Sequence, residues 1–324
     1  MKLELYIPHR CTNKLPENFN SKDYLVGEEK IDGSRYIFYI GGDPYERSFP
    51  NALLSRRIST HDSKYVDRTQ NCPHFTTQEY TGLKGTVLDG EVVSINFLST
   101  NSIMNSSPIV AIEKQKDIGF VTYNVFDIMM FRGKSIAHLP LEQRRKILIE
   151  AVNQMANPYI RVVEQVTGDL TAFFNYVVTK GGEGIIIKDT RKAYGDGWYK
   201  MKKSYDVSCI ISGWHPGKGK YSGMIGALLL SVWHDGKLVE IGRASGFNDD
   251  LRIEMTKNFE KFKGKVIDVF AQEIQDSKRS VGNPVGRLRH PTFYRLRDDI
   301  NAEDCTSTKL LSDMKAAKNS RLKT

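Results

Sequence analysis

Cysteine is scarce and scattered in this chain: Cys11, Cys72, Cys209 and Cys305 stand far apart, with no C-x-x-C pair among them. That spacing excludes the zinc ribbons and dithiol redox motifs that need closely paired thiols, and it argues against a disulfide framework. Cys72-Pro73-His74 offers two metal-ligand types in what reads as a polar loop, too few for a structural zinc. Long apolar runs are missing as well, none approaching the ~20 residues of a membrane-spanning helix. The opening Met1-Lys2-Leu3-Glu4-Leu5-Tyr6-Ile7-Pro8 lacks the continuous apolar stretch and small-residue cleavage site of a secretory signal. The expectation is a cytoplasmic protein with no membrane partner, made in the host cytoplasm if it comes from a phage or virus. No internal repeat is present.

What remains is an ordinary globular composition, 40% hydrophobic and 26% charged, in 324 residues, long enough for two domains. The net charge of +9 suits a polyanionic partner. The excess is spread over both parts, +4 for residues 1–204 and +5 for residues 205–324, which fits a duplex held by two domains better than one gripped by a basic tail.

Up to about residue 204 the pattern alternates β-rich runs, at 86–95, 118–130, 158–165, 183–189 and 197–202, with helical ones at 141–156 and 168–179. In the first helix Leu141, Leu148, Val152 and Met155 share a face, and Arg144 and Arg145 are expected to face away. Residues 61–80 and 99–116 read as polar loops, the second with a short capped helix near Asn101-Ser102. Beyond Ser204-Tyr205 come short strands at 206–213, 225–234, 238–243, 265–275 and 291–297, interrupted by an amphipathic stretch at 248–262. Five short strands and one helix fit a small Greek-key barrel of the OB type. The expected division is 1–204, 205–313 and a basic, frayed tail at 314–324.

The candidate site residues lie in ordered segments. Glu29-Lys30-Ile31-Asp32-Gly33-Ser34-Arg35 sits between two strand-like runs, so Lys30 is expected at the mouth of a hairpin whose turn is Gly33. Glu46-Arg47-Ser48-Phe49 follows. Leu88-Asp89-Gly90-Glu91 places two carboxylates in a β run, so Asp89 or Glu91 should face a cleft. Tyr123-Asn124-Val125-Phe126-Asp127 is an apolar strand, in which Asp127 reads as structural. Glu183 opens the buried run to Lys188, and Lys188 reads as a solvated strand end, with contact to a phosphate as the alternative. Lys200 and Lys202 in Trp198-Tyr199-Lys200-Met201-Lys202 share a strand face and repel unless an anion lies between them. Arg295 and Arg297 share a face in His290-Pro291-Thr292-Phe293-Tyr294-Arg295-Leu296-Arg297.

Taken together, over roughly residues 23–300, these segments resemble the covalent nucleotidyltransferases, and among them the ATP-dependent DNA ligases of the minimal viral and bacteriophage kind. The resemblance implies an α+β architecture, an ATP-grasp-like adenylyltransferase (nucleotidyltransferase) domain followed by an OB-fold β-barrel. It implies that Lys30 takes AMP from ATP, that the AMP passes to the 5′-phosphate of a nick, and that the 3′-hydroxyl displaces it. Asp32, Arg295 and Arg297 would assist catalysis. Glu28, Arg35, Arg47, Glu91, Phe126, Lys200 and Lys202 would bind the nucleotide, Phe126 by stacking on adenine. Glu91 and Glu183 would hold Mg²⁺, whose hard-oxygen preference suits carboxylates. Lys200 and Lys202 would also make the Lys30 amine easier to deprotonate. The fuller family pattern has a lysine where this chain has Asp299, which shifts orientation of the leaving pyrophosphate onto Arg295 and Arg297. The implied partner is nicked double-stranded DNA, bound by a monomer in replication, repair or recombination. No latch-like insertion is evident in the barrel and no large helical DNA-binding domain precedes Lys30, so the grip should be weak and salt-dependent. The few residues before Lys30 and the absent zinc-binding cysteines argue against NAD. The alternatives are an mRNA-capping guanylyltransferase and a non-catalytic OB protein that binds nicks or single strands. Gly217-Lys218-Gly219-Lys220-Tyr221-Ser222-Gly223 resembles the opening of a ligase barrel and favours the first reading.

Overall fold

Alternating apolar residues dictate where the site can form. In the computed structural model, which describes residues 11–12, 14–45, 50–59, 63–275 and 283–320, the chain folds as two units, residues 1–201 and 202–324. The first runs β1 (Leu25–Glu29), β2 (Ser34–Ile40), β3 (Asn51–Ile58), β4 (Tyr65–Asp67), α1 (Pro73–Thr76), β5 (Thr86–Val93), α2 (Phe97–Met104), α3 (Pro108–Ile118), β6 (Thr122–Phe131), β7 (Lys134–Ser135), α4 (Leu141–Met155), β8 (Ile160–Val162), β9 (Gln165–Val166), α5 (Leu170–Thr179), β10 (Gly184–Asp189) and β11 (Trp198–Lys202). The second runs β12 (Tyr205–Pro216), β13 (Ile225–His234), β14 (Lys237–Ala244), α6 (Asp249–Lys257), β15 (Val266–Ala271), β16 (Ile274–Gln275), β17 (Arg287–Leu288), β18 (Thr292–Arg297) and α7 (Ser307–Ser320).

Two sheets build the first unit. One has the order β11-β10-β1-β9, the other β4-β3-β2-β5-β6-β7 with β8 beside β6. The larger sheet is buried on both faces. Tyr36, Phe38, Leu88, Val92, Tyr123 and Val125 face one core, which Leu148, Ala151, Val152 and Met155 of α4 help to fill. Ile37, Tyr39, Val87 and Met129 face another, closed by Tyr194 and Trp198. Strand periodicity alone assigns these faces. The site lies on the second.

The structure corrects several expectations. β1 and β2 belong to different sheets, so Lys30 is not at a hairpin mouth but at the crossing from one sheet to the other. Gly33 is required there by crowding rather than by a turn: a Cβ would stand 2.4 Å from the carbonyl oxygen of Val92. Residues 99–116 fall mostly in α2 and α3, not in a loop. Asn96 caps α2 by accepting from the Ser99 N–H at 2.8 Å, Pro108 opens α3, and Ile103, Met104 and Ala111 are buried between them and the sheet. Cys72 is a core residue and Pro73–Thr76 a helical turn. Arg144 does not face away from α4. It is wholly buried, with Nε and Nη2 donating to the two carboxylate oxygens of Asp127, each at 2.8 Å.

The second unit is an antiparallel sheet of order β14-β13-β12-β15-β18 wrapped on its own core. Its last helix, α7, begins at Ser307. Leu310 and Met314, one turn apart, bury against the barrel core and hold α7 in place. No helix among the described residues is long and apolar enough to cross a membrane.

Candidate active site

Lys30 follows the last residue of β1, and its backbone N–H donates at 2.9 Å to the carbonyl of Gly184, the first residue of β10. That bond ties the lysine to Glu183, whose Oε2 accepts from Lys30 Nζ. Asp32 lies two residues further on, half-buried in the crossing.

Around this pair the larger sheet contributes acids and aromatics. Arg35 on β2 grips Asp89 on β5 through Nε at 2.9 Å and Nη2 at 2.5 Å, and the Tyr194 hydroxyl donates to the same carboxylate at 2.6 Å. Asp89 is therefore consumed inside the fold. Glu91 makes no direct hydrogen bond among the described residues. Burial pushes its carboxyl up to about 8 against the downward pull of Lys30 and Arg35. A register shift between β5 and β6 pairs Asp89 with Asp127 and Gly90 with Val125, which leaves Phe126 as a bulge. Bulges re-aim side chains. Here the Phe126 ring meets Trp198 edge-on, with the Arg35 guanidinium 5.2 Å from its centroid.

Lys188 corrects a further expectation, since it is buried rather than solvated. Its Nζ stands 2.8 Å from Glu28 Oε2, donates to the Phe126 carbonyl at 3.0 Å and lies over the Phe126 and Trp198 rings. Glu28, also buried, accepts from Gln165 at 2.8 Å on its other oxygen. A lysine at this depth is tolerable only because the carboxylate and two π-faces replace its water.

Lys200 shares its face of β11 with Trp198 and Lys202, and its N–H donates to the Thr12 carbonyl at 2.8 Å. This anchors residues 11–12 beside the site. The Cys11 thiol there maps the local field. Burial raises its pKa, and the charges of Arg35, Lys188, Lys200 and Lys30 pull it down. Arg47 lies outside the described residues. Arg295 and Arg297 stand on the outer face of the second unit, bonded to Asp268 at 2.8 and 2.7 Å.

Cys11 was not singled out in the sequence, and the burial of Lys188 was not foreseen, because each depends on long-range partners.

Comparison with known proteins adds to this geometry. Residues 8–203 match the family model described as the ATP dependent DNA ligase domain, and residues 216–297 match a DNA ligase OB-like domain. A DNA ligase of Methanocorpusculum labreanum is 27% identical over 321 residues, spanning 89% of this chain and 54% of that protein. A DNA ligase of Methanopyrus kandleri is 31% identical over 248 residues, spanning 67% of this chain and 44% of that protein. The chain thus spans about half the length of these curated relatives. A solved structure from a structure–function study of Lig E DNA ligases matches with a TM-score of 0.63 at 20% identity, covering 91% of this chain and all of that one, a likeness of fold.

Proposed function

Because the chain belongs to the ATP-dependent DNA ligase family, we propose that it seals nicks in duplex DNA by way of an adenylate carried on Lys30. The observation that carries this reading is Lys30, held by Glu183 and by the Gly184 carbonyl in the segment that the ATP dependent DNA ligase domain model covers. ATP is the substrate, and the nucleotide chemistry belongs to the first unit. Lys30 Nζ attacks the α-phosphorus, the bond from that phosphorus to the bridging oxygen breaks, and pyrophosphate departs. Glu183 Oε2, hydrogen-bonded to Nζ, stands where the amine's proton goes. Arg35 is fixed by Asp89 and so costs little further ordering when phosphate or ribose arrives. Phe126, re-aimed by its bulge, offers a π-face to the base.

The donor set also fits magnesium. Glu91 and Glu183 both act on Lys30, and Glu91 has no hydrogen-bonding partner of its own among the described residues. Mg²⁺ keeps most of its waters, so one or two carboxylates are enough to hold it. Bound there, Mg²⁺ would offset charge developing on the α-phosphate. The polynucleotide partner is a duplex with a 5′-phosphate and 3′-hydroxyl at a nick, bound by a monomer.

Incubation with α-labelled ATP or GTP tests this directly. Label from ATP should appear on the protein, and chase onto a nicked duplex should close it. Label from GTP alone would instead identify a capping-type enzyme, and no label with either would leave a binding protein.

A further inference from the structure

Two carboxylates face each other across β5 and β6, and each grips an arginine. Asp89 and Asp127 are register partners, and both are buried. Asp127 takes Nε and Nη2 of Arg144, whose Nη1 goes to the carbonyls of Leu139 and Lys192, so that this guanidinium is spent within the fold. Asp89 takes the same two nitrogens of Arg35. Yet the Arg35 side chain stays 14% exposed, and its guanidinium lies against the rings of Phe126 and Trp198, 5.2 and 5.7 Å from their centroids.

The Asp89 pair carries a third side chain. The Tyr194 hydroxyl donates at 2.6 Å to Asp89 Oδ2, the oxygen that Arg35 Nη2 uses, and stands 3.5 Å from Nη2 itself. Tyr194 sits on the connection between β10 and β11, and the backbone fixes it there. Its N–H donates to the Ala137 carbonyl at 2.8 Å, and the Asp189 N–H closes the base of the connection on the Gly197 carbonyl at 3.0 Å. Its ring meets Trp198 edge-on with centroids 5.3 Å apart. The hydroxyl is thus placed by contacts that do not involve Asp89.

A carboxylate bonded to one guanidinium can tilt about its own side-chain torsion and carry the guanidinium with it. A further bond from a fixed hydroxyl sets the plane of the carboxylate, and the two-nitrogen fork passes that plane on to Arg35. Burial and the charge of Asp89 push the Tyr194 phenol well above its ordinary value, so the hydroxyl remains a donor at neutral pH. The partners Asp89 and Arg35 lie 105 and 159 residues away in the chain, which is why no motif segment marks Tyr194.

We propose that Tyr194 is a positioning residue, whose hydroxyl locks the Asp89 carboxylate so that Arg35 meets the nucleotide in one orientation, set before ATP arrives. The inference rests on the function proposed above. It assigns the ordering of Arg35 to a group outside the segments that touch the nucleotide in that reading.

Tyr194→Phe removes one oxygen and keeps the ring on Trp198. Single-turnover formation of protein-bound AMP, followed over a range of ATP concentrations, should lose about tenfold in its second-order rate constant, chiefly through a higher half-saturating ATP concentration. In an Arg35→Lys background no planar fork is left to orient, and the same change should cost less than about twofold. An unchanged rate, or an equal loss in both backgrounds, overturns the proposal. A second measurement needs neither turnover nor the Phe variant. In ATP-free wild type labelled with ¹⁵N-arginine, the Nε–H of Arg35, identified by its loss in Arg35→Lys, should be as rigid on the ps–ns timescale as that of the buried Arg144. A mobile Arg35 signal there also overturns the proposal. Failure of the wild-type protein to take up AMP would instead sink the function on which it rests, with the order of Arg35 still read from its own signal.

Discussion

Glu91 carries the clearest pH signature of any single group. Its carboxyl holds a proton up to about 8 in the fold because burial outweighs the pull of Lys30 and Arg35. A carboxyl that binds its proton more tightly folded than unfolded stabilises the fold at low pH, and that contribution drains away as pH rises from about 4.5 to about 8. Thermal melts of the ligand-free protein across this window should show a falling Tm, and Glu91→Gln should flatten the slope. The same proton competes with magnesium, so Mg²⁺ affinity measured by calorimetry should rise over that range in wild type and stay level in Glu91→Gln. Lys30, Glu91 and Glu183 stand out in the sequence, because a charged residue at the end of or within an apolar strand needs a reason to be there, and the structure brings Lys30 and Glu183 together. The burial of Lys188 does not: its partners Glu28 and Phe126 come from remote segments, and an alternating pattern says which face a side chain takes but not what meets it.

At the scale of elements, the sequence announced most strands and α4, while the way they are joined stayed hidden. The β1–β2 connection looked like a hairpin because Lys-Ile-Asp-Gly has turn composition. Only the pairing of β1 with β10, and of β2 with β5, shows it to be a crossing between sheets. Gly33→Ala should cost about 1–3 kcal/mol in urea unfolding, since its Cβ would meet the Val92 carbonyl at 2.4 Å and strand backbone cannot yield cheaply. β6 and α4 are joined by the fully buried Asp127–Arg144 pair, invisible to a helical-face reading that sends every arginine to solvent. Asp127→Asn should destabilise by roughly 3–5 kcal/mol by stranding a buried cation. Equal stability of this variant and wild type in urea would show that the pair contributes nothing. α2 was expected only as a short capped helix near Asn101-Ser102, and α3 was missed, for the opposite reason: Ser and Asn suggest loops, but Asn96 spends its polar group capping a helix.

The whole chain carries a net charge of +9, distributed over both of its units. Phosphate contacts release counterions, so binding of a nicked duplex should weaken by at least about tenfold between roughly 50 and 200 mM salt. Fluorescence anisotropy with a labelled nick would register this, and a flat response would show that charge does not drive the association. The most direct measurement remains at Lys30: intact mass and peptide mapping of the protein after incubation with ATP and Mg²⁺. One AMP should be found on the peptide containing Lys30, stable to base and lost to acid as a phosphoamide, and absent from Lys30→Ala. An unmodified Lys30, or AMP on another side chain, would contradict the proposed chemistry.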